Sequence, residues 1–368
     1  MGEGKFRVFA TCDIGPSLDL LRHRGYEVEV YPGPDAPPHG LLLEKVRSGI
    51  DGLITTLRDR IDAEVFEAGK GRLKGVAQLA VGFDNINRAD ANRYGIPFTN
   101  TADVLTDATA EFAFAIMLAL SRKLWPSERL VRELRWGQWH PYLPFLGDEV
   151  TGKTIAVIGT GRIGQAMISK CSGFEMNVLC FDEYRNEKFV GSMQKLMDVK
   201  HELGLARRNR VRYAELDECL READYVSLHV PLLREGEAKQ PTWHLINEQT
   251  LRQMKSTAYL VNTSRGPVVD EHALARALRE GWIAGAALDV FEHEPLPADS
   301  PLRDPAIEER CRLFHHFASG GVATRLSNDP NVGMAGRCVQ GLIDMLEGSD
   351  YSKMPYVVNK EAFRTPVA

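Results

Sequence analysis

The chain has 368 residues, 44% hydrophobic and 26% charged, and its 45 basic and 50 acidic side chains leave a net charge of −5. That length exceeds one small core and predicts two domains of an ordinary soluble globular protein, while the lack of a basic excess disfavours a nucleic-acid partner. The six cysteines (Cys12, Cys171, Cys180, Cys219, Cys311, Cys338) form no CxxC pair and no Cys/His cluster of zinc spacing, so they read as buried thiols of a reducing compartment, with no metal site.

The opening stretch MGEGKFRVFATCDIG holds no apolar run of signal-peptide length. FRVFAT (6–11), GLITTL (52–57) and GVAQLA (75–80) read as buried strands, and SLDLLRHRG, GLLLEKVRSG and DAEVFEAG read as helices that stop at or near glycine. Such alternation predicts a parallel sheet covered by helices on both faces. TDATAEFAFAIMLALSRKL (106–124) reads as one helix, apolar on nearly every side after Glu111 and hence buried between domains or subunits. Its apolar stretch is far too short to span a bilayer, so the expectation is a cytoplasmic protein with no membrane partner. RWGQWHPYLPFLGDEVTGK (135–153) reads as a connector.

A second alternation follows. IAVIG (155–159), NVLCFD (177–182), YVSLHVP (225–231), AYLVNTS (258–264) and AGAALDVF (284–291) read as strands, and EHALARALREG (271–281) as a helix with Gly281 as its stop. The charged stretch 186–211 reads as a helical excursion on the surface. The tail from about residue 325 is helical again, through VGMAGRCVQGLIDMLEG.

Within IAVIGTGRIG the glycines carry a physical message. Gly159 permits a tight strand-to-helix turn, Gly161 lets the backbone approach a pyrophosphate, and Gly164 lets the helix lie close on the strand. The N-terminus of the helix then offers unpaired N–H groups and a positive dipole end to phosphates. The spacing alone is weak evidence, but a strand precedes it, a helix follows, and the next strand ends in Asp182, about twenty residues on. An acidic side chain there accepts hydrogen bonds from the adenosine ribose and repels a 2′-phosphate. NAD is thus favoured over NADP, although Arg185 lies near enough to blur the preference.

Three later segments place polar residues at strand ends, where ligands sit in this architecture. Arg265, in VNTSRGPVVD, can grip a carboxylate with two hydrogen bonds. Asp289, in ALDVFEHEP, lies within the expected strand, where a charge needs a partner. Glu294 precedes Pro295 and by spacing alone reads as a solvated loop carboxylate. LFHHFASGG (313–321) reads as a short strand interrupted by His315 and His316. An Arg, a Glu and a His from three strand ends suit hydride transfer between a nicotinamide and a 2-oxo acid: His delivers the proton, the carboxylate orients it, and Arg holds the substrate and polarises its carbonyl.

With VGFDNIN (81–87), LTDATAEFA (105–113), GKTIAVIGTGRIGQA (152–166), ADYVSLHVPL (223–232), LVNTSRGPVVDEHAL (260–274) and GAALDVFEHEP (285–295) in that order, the chain resembles the NAD-dependent D-2-hydroxyacid dehydrogenases over roughly residues 50 to 345. The WGQWHP connector leans towards the glyoxylate/hydroxypyruvate reductase branch. The resemblance implies an α/β protein of two doubly wound parallel-sheet domains, with a Rossmann NAD domain (108–321) inserted into a flavodoxin-like substrate domain (1–107 with 322–368). It also implies a homodimer and a cleft whose closure excludes water. It puts the catalytic residues on Arg265, Glu294 and His316, with His315 standing where the family usually has proline. The substrate-carboxylate grip falls on Val81 and Gly82, together with Arg265. Cofactor contacts fall on Arg162, Ile163, Asp182, Val230, Thr263 and Asp289, beside the three glycines. The expected substrate is a small acid such as glyoxylate or hydroxypyruvate. Two other readings are an NAD-sensing corepressor, which needs no intact proton donor, and a phosphoglycerate dehydrogenase, for which Arg58 and Arg60 would supply cations. The end of the chain soon after the tail helix argues against the long, feedback-controlled members of the latter group. Two stretches, 186–211 and EGEAKQPTW (235–243), are longer than the resemblance leads one to expect.

Overall fold

The computed structural model describes residues 6–141, 145–348 and 350–363, so part of the connector, residues 142–144, lies outside the described residues, as do the first five residues of the opening stretch. Two compact units divide the chain. One contains the residues up to Leu105 together with those from Gly320 onward, and the other is Thr106–Ser319.

The first unit begins with β1 (Arg7–Ala10), α1 (Leu18–His23), β2 (Glu27–Val30), α2 (His39–Arg47), β3 (Gly52–Thr55), α3 (Ala63–Ala68), β4 (Gly75–Gln78), α4 (Arg88–Tyr94) and β5 (Phe98–Thr99). The second unit opens with α5 (Thr106–Ser121) and α6 (Leu124–Arg132). It continues through β6 (Thr154–Ile158), α7 (Arg162–Cys171), β7 (Asn177–Phe181), α8 (Glu187–Glu202), β8 (Val211–Tyr213), α9 (Leu216–Glu222) and β9 (Tyr225–Leu228). Its last elements are α10 (Glu248–Leu251), β10 (Tyr259–Asn262), α11 (Glu271–Glu280), β11 (Gly285–Leu288) and β12 (Cys311–Leu313). The chain returns to the first unit in α12 (Val322–Leu326) and α13 (Met334–Glu347).

Each unit is built on one parallel sheet, of order β2-β1-β3-β4-β5 in the first and β12-β11-β10-β9-β6-β7-β8 in the second. Strand alternation separates the two faces of each sheet. In β6, Ala156 and Ile158 join one apolar cluster while Ile155 and Val157 join the other. In β1, Val8 and Ala10 face Val339, Leu342 and Leu346 of α13, whereas Phe9 faces the opposite cluster with Val46 and Phe66. The tail helix therefore completes the core of a sheet whose strands lie far earlier in the chain.

Several expectations need correction. The helix foreseen over 106–124 breaks after Ser121, because Lys123 adopts a left-handed φ of 54° before α6 starts. α5 finds apolar cover inside its own unit, against α7, β10 and β11, through Ala113, Phe114, Met117 and Leu120. The 186–211 excursion is the crossover from β7 to β8: α8 buries Val190, Met193 and Met197 on the sheet. β11 ends at Leu288, so Asp289 stands just beyond the strand, and β12 ends at Leu313, so both histidines follow it rather than interrupt it. All six cysteines are free and five are buried, with Cys12 partly exposed. Among the described residues no helix is long and apolar enough to cross a membrane, and no cluster of metal-ligating side chains occurs.

Candidate active site

The seven-stranded sheet reverses its winding between β6 and β9, whose neighbours on the other sides are β7 and β10. A crevice opens outside the carboxyl ends of strands at such a reversal. Gly159 leaves β6 there with a φ of 96°, and a Cβ on it would come within 2.5 Å of the His229 carbonyl oxygen at the end of β9. At Gly164 a Cβ would run into the Gly159 carbonyl, so α7 can lie this close to β6 only without a side chain. Gly161 differs: it is the N-cap of α7, has no side-chain cap, and has nothing within 4 Å of where its Cβ would be. Arg162 and Ile163 form the first turn of that helix.

Asp182 follows β7 and is anchored in the same turn. Its Oδ2 accepts from the Thr160 N–H (2.6 Å) and Thr160 Oγ1 (3.0 Å), and its Oδ1 accepts from the Tyr184 N–H (2.8 Å). Arg185 points its guanidinium over the Tyr213 ring (5.2 Å) and pairs with Glu215 at 2.8 Å. Val230 follows β9, and a Cβ on Gly159 would also come within 3.0 Å of its side chain. Thr263 follows β10, and its buried Oγ1 has no hydrogen-bond partner among the described residues. A buried hydroxyl of this kind costs free energy unless something else pairs with it.

The remaining polar residues gather at the ends of β10, β11 and β12. Fully buried Asn262 closes β10; its Nδ2 donates to the Arg265 carbonyl at 2.9 Å, and its Oδ1 accepts from the Ser264 N–H at 3.0 Å. These bonds shape the turn that presents Arg265. The next residue, Gly266, packs so tightly on the Phe291–Glu292 peptide that a Cβ would overlap the Phe291 carbonyl group. The arginine turn and the FEHEP loop are thereby locked together.

On that loop Glu294 divides its oxygens. Oε1 accepts from the Phe291 N–H at 3.0 Å, and Oε2 lies 2.8 Å from His316 Nδ1. Burial pushes the Glu294 carboxyl up, but the bond and charge of His316, the Phe291 N–H and the nearby Arg265 charge outweigh it and hold the group below its ordinary value. His316 has a left-handed φ of 56°, costly for a residue with a Cβ. Asp289 holds this geometry: its carbonyl accepts from the His316 N–H (2.8 Å), and its fully buried carboxylate accepts from the N–H groups of Phe317 (2.7 Å) and Ala318 (2.8 Å). Burial nonetheless raises the Asp289 carboxyl, with the two N–H bonds and His316 opposing. His315 stacks on Phe317 at 5.2 Å, so of the two histidines it is His316 that meets the carboxylate.

In the first unit, Val81 and Gly82 lie beyond the end of β4. Asn100 Nδ2 donates to the Val81 carbonyl at 2.7 Å and Gln78 Nε2 to the Gly82 carbonyl at 3.2 Å, while no acceptor among the described residues takes their N–H groups. Arg58 donates to the Pro34 carbonyl at 2.9 Å and Arg60 pairs with Asp62 at 2.6 Å. Asn262, Gly266 and Thr160 are not among the residues the sequence leads one to expect here. The one available signal was Asn262, a polar residue closing an apolar strand.

Residues 114–318 match the model of the D-isomer specific 2-hydroxyacid dehydrogenase NAD binding domain. The chain belongs to the D-isomer specific 2-hydroxyacid dehydrogenase family. It is 45% identical over 364 residues to the glyoxylate reductase of Pyrococcus horikoshii, covering 98% of each chain, and 45% identical over 323 residues to that of Korarchaeum cryptofilum, covering 87% of this chain and 89% of the relative. Among solved structures it is similar to the TT0316 protein of Thermus thermophilus, with a TM-score of 0.80, 38% identity, and 96% of this chain and all of that one covered. It is also similar to the D-lactate dehydrogenase of Aquifex aeolicus, solved with NAD and lactic acid, with a TM-score of 0.76 and 26% identity over 96% and 99% of the two chains. This dehydrogenase is thus an NAD-dependent oxidoreductase. Its own residues fit the cofactor: a bare Gly161 at an uncapped helix start suits a diphosphate, and the buried Thr263 Oγ1 lacks a partner among the described residues.

Proposed function

We propose that the dehydrogenase reduces a small 2-oxo acid of the glyoxylate or hydroxypyruvate type to the 2-hydroxy acid, with His316 as proton donor, Glu294 as its partner and Arg265 as the substrate anchor. The observation that carries this reading is the 2.8 Å contact between Glu294 Oε2 and His316 Nδ1 at the strand ends that follow the NAD fingerprint. Reduced nicotinamide, when bound, supplies a hydride to the substrate carbonyl carbon. The chain's residues do the rest. Glu294 occupies Nδ1 of the imidazolium and leaves Nε2–H to give its proton to the carbonyl oxygen, so the C=O becomes CH–OH. Arg265 holds the carboxylate with charge-assisted hydrogen bonds and draws electron density from the carbonyl. Support for the substrate class comes from the glyoxylate reductases that match this chain over most of its length.

Gly159, Gly161 and Gly164 with Arg162 and Ile163 are assigned to the diphosphate, Asp182 to the ribose, and Val230, Thr263 and Asp289 to the remainder of the cofactor. Val81 and Gly82 are assigned to the substrate carboxylate, in line with N–H groups that no described residue accepts. Exposed Leu124 and Val131, one heptad apart on α6, together with Trp136 and Trp139 beyond it, support a homodimer, which sedimentation of the purified protein tests directly. Six free thiols support a cytoplasmic location.

The deciding experiment follows NADH oxidation with a panel of 2-oxo acids. Turnover of glyoxylate or hydroxypyruvate is expected. Tight NADH binding without turnover of any acid would overturn the reading and favour a cofactor sensor.

A further inference from the structure

Glu294 stands on a loop, and a side chain that must meet His316 within hydrogen-bond distance needs its loop held. Behind that loop Glu271 and Glu292, which have no part in the proton transfer, close a ring of hydrogen bonds, and His244 joins it through Glu292. The Glu292 N–H donates to Glu271 Oε1 at 2.7 Å, and the Glu271 N–H donates back to Glu292 Oε1 at 3.2 Å. His244 Nε2 lies 3.1 Å from the same Glu292 oxygen. Glu271 opens α11 and is only 8% exposed; burial raises its carboxyl, the Glu292 N–H lowers it, and the Glu292 charge raises it again, with His293 and His272 opposing. Two carboxylates tied together in such a place are costly unless their bonds accomplish something.

His244 is itself held against its backbone preference. Its φ is 48°, its N–H donates to the Pro267 carbonyl (2.8 Å), and its carbonyl accepts from Asn247 Nδ2 (2.9 Å). Trp243 stacks on the imidazole at 4.8 Å, and Arg234 covers Trp243 at 4.4 Å. The long 235–243 stretch thus leads into a fixed imidazole, His244, that meets Glu292. Gly266 also presses on the Phe291–Glu292 peptide, and the Phe291 N–H holds Glu294 Oε1.

We propose that His244, Glu292 and Glu271 are positioning residues for the reduction. They clamp the Phe291–Glu292 peptide so that Glu294 keeps one oxygen on the Phe291 N–H and turns the other to His316. The inference rests on the reading of Glu294 and His316 as the proton-transfer pair.

The test compares Glu292→Ala, Glu292→Gln and His244→Asn. Asparagine tolerates the left-handed backbone at 244 but is too short to reach Glu292. Glu292→Ala and His244→Asn should lower kcat with glyoxylate by about 10- to 100-fold, the scale of a misplaced catalytic group, with NADH affinity by fluorescence within about twofold. Glu292→Gln, which keeps the accepting oxygen, should restore most of kcat. Hydrogen exchange in the peptide containing 291–294 should quicken in Glu292→Ala and stay slow in Glu292→Gln. The double variant should be no slower than Glu292→Ala, since both changes break one network. A Glu292→Ala protein with wild-type kcat and exchange, or one that loses kcat only in step with NADH affinity, overturns the clamp. A wild-type protein inactive on every acid overturns the proton-transfer reading beneath it, a separate result.

Discussion

The two ends of the seven-stranded sheet's functional edge are built by opposite means. Around β6 and β7 the chain removes side chains: Gly159 and Gly164 sit where a Cβ would strike backbone, and Gly161 faces open space. Around β10, β11 and β12 it adds them until each is held several times over: Asn262 on the Arg265 turn, Asp289 on His316, Phe317 and Ala318, and Glu294 on Phe291 and His316. A diphosphate needs exposed N–H groups and room. Proton transfer needs fixed distances between side chains. The comparison teaches that substitutions at the first edge should change binding, and those at the second should change rate.

His316→Ala sets the upper end of that contrast. Loss of the proposed proton donor should cut kcat for a 2-oxo acid by roughly 10²- to 10⁴-fold while NADH titration stays unchanged; a variant with near-normal kcat would break the assignment. Arg265→Ala should raise KM as well as lower kcat, with kcat/KM falling about 100-fold, or ~3 kcal/mol, as two charge-assisted hydrogen bonds are lost. Steady-state kinetics on both parameters checks this. Gly161→Ala sharpens the other edge. Its φ of −64° is open to alanine and no protein atom is near, so thermal stability should hold while the Kd for NADH rises about 10-fold; unchanged NADH affinity would place the diphosphate elsewhere. The smallest effect is one of pH. The depressed Glu294 carboxyl contributes stability that is complete above its ordinary 4.5 and is lost as pH falls through the lower folded-state value. Melting curves of wild type and Glu294→Gln should therefore differ most near neutrality and converge in more acid solution. A gap that persists undiminished near pH ~3 would assign it to something other than this ionisation.

The legible strands share a position. β1, β3, β4, β6, β7, β9, β10 and β11 are all interior to a sheet, and their apolar runs stand out. The apolar-run pattern misses β2, β5 and β8 and puts β12 too late; all four are sheet edges. An edge strand has one neighbour and half the cover, so β2 reads EVEV with no fully buried residue, and β8 and β12 each carry an arginine. The proposed site divides in the same way. The glycine spacing and Asp182 are local steric and electrostatic demands, and they show in a single run of residues. What steadies His316 and the loop of Glu294 depends on Asp289, Gly266, Glu271 and His244, drawn from different elements between residues 244 and 289.

By itself the order of residues determined two parallel α/β units, the helix start suited to a diphosphate, and the residue types for a hydride and proton exchange, because periodicity, turns and backbone approach act over a few neighbouring positions. Tertiary structure alone decided that α13 closes the core of the first sheet, that α8 is a crossover, that the buried Thr263 hydroxyl finds no partner among the described residues, and that Asp289, Gly266 and Glu271 hold the segments on which His316 and Glu294 stand. These are matters of distance between residues far apart in the chain, set only when the sheet brings its strand ends together.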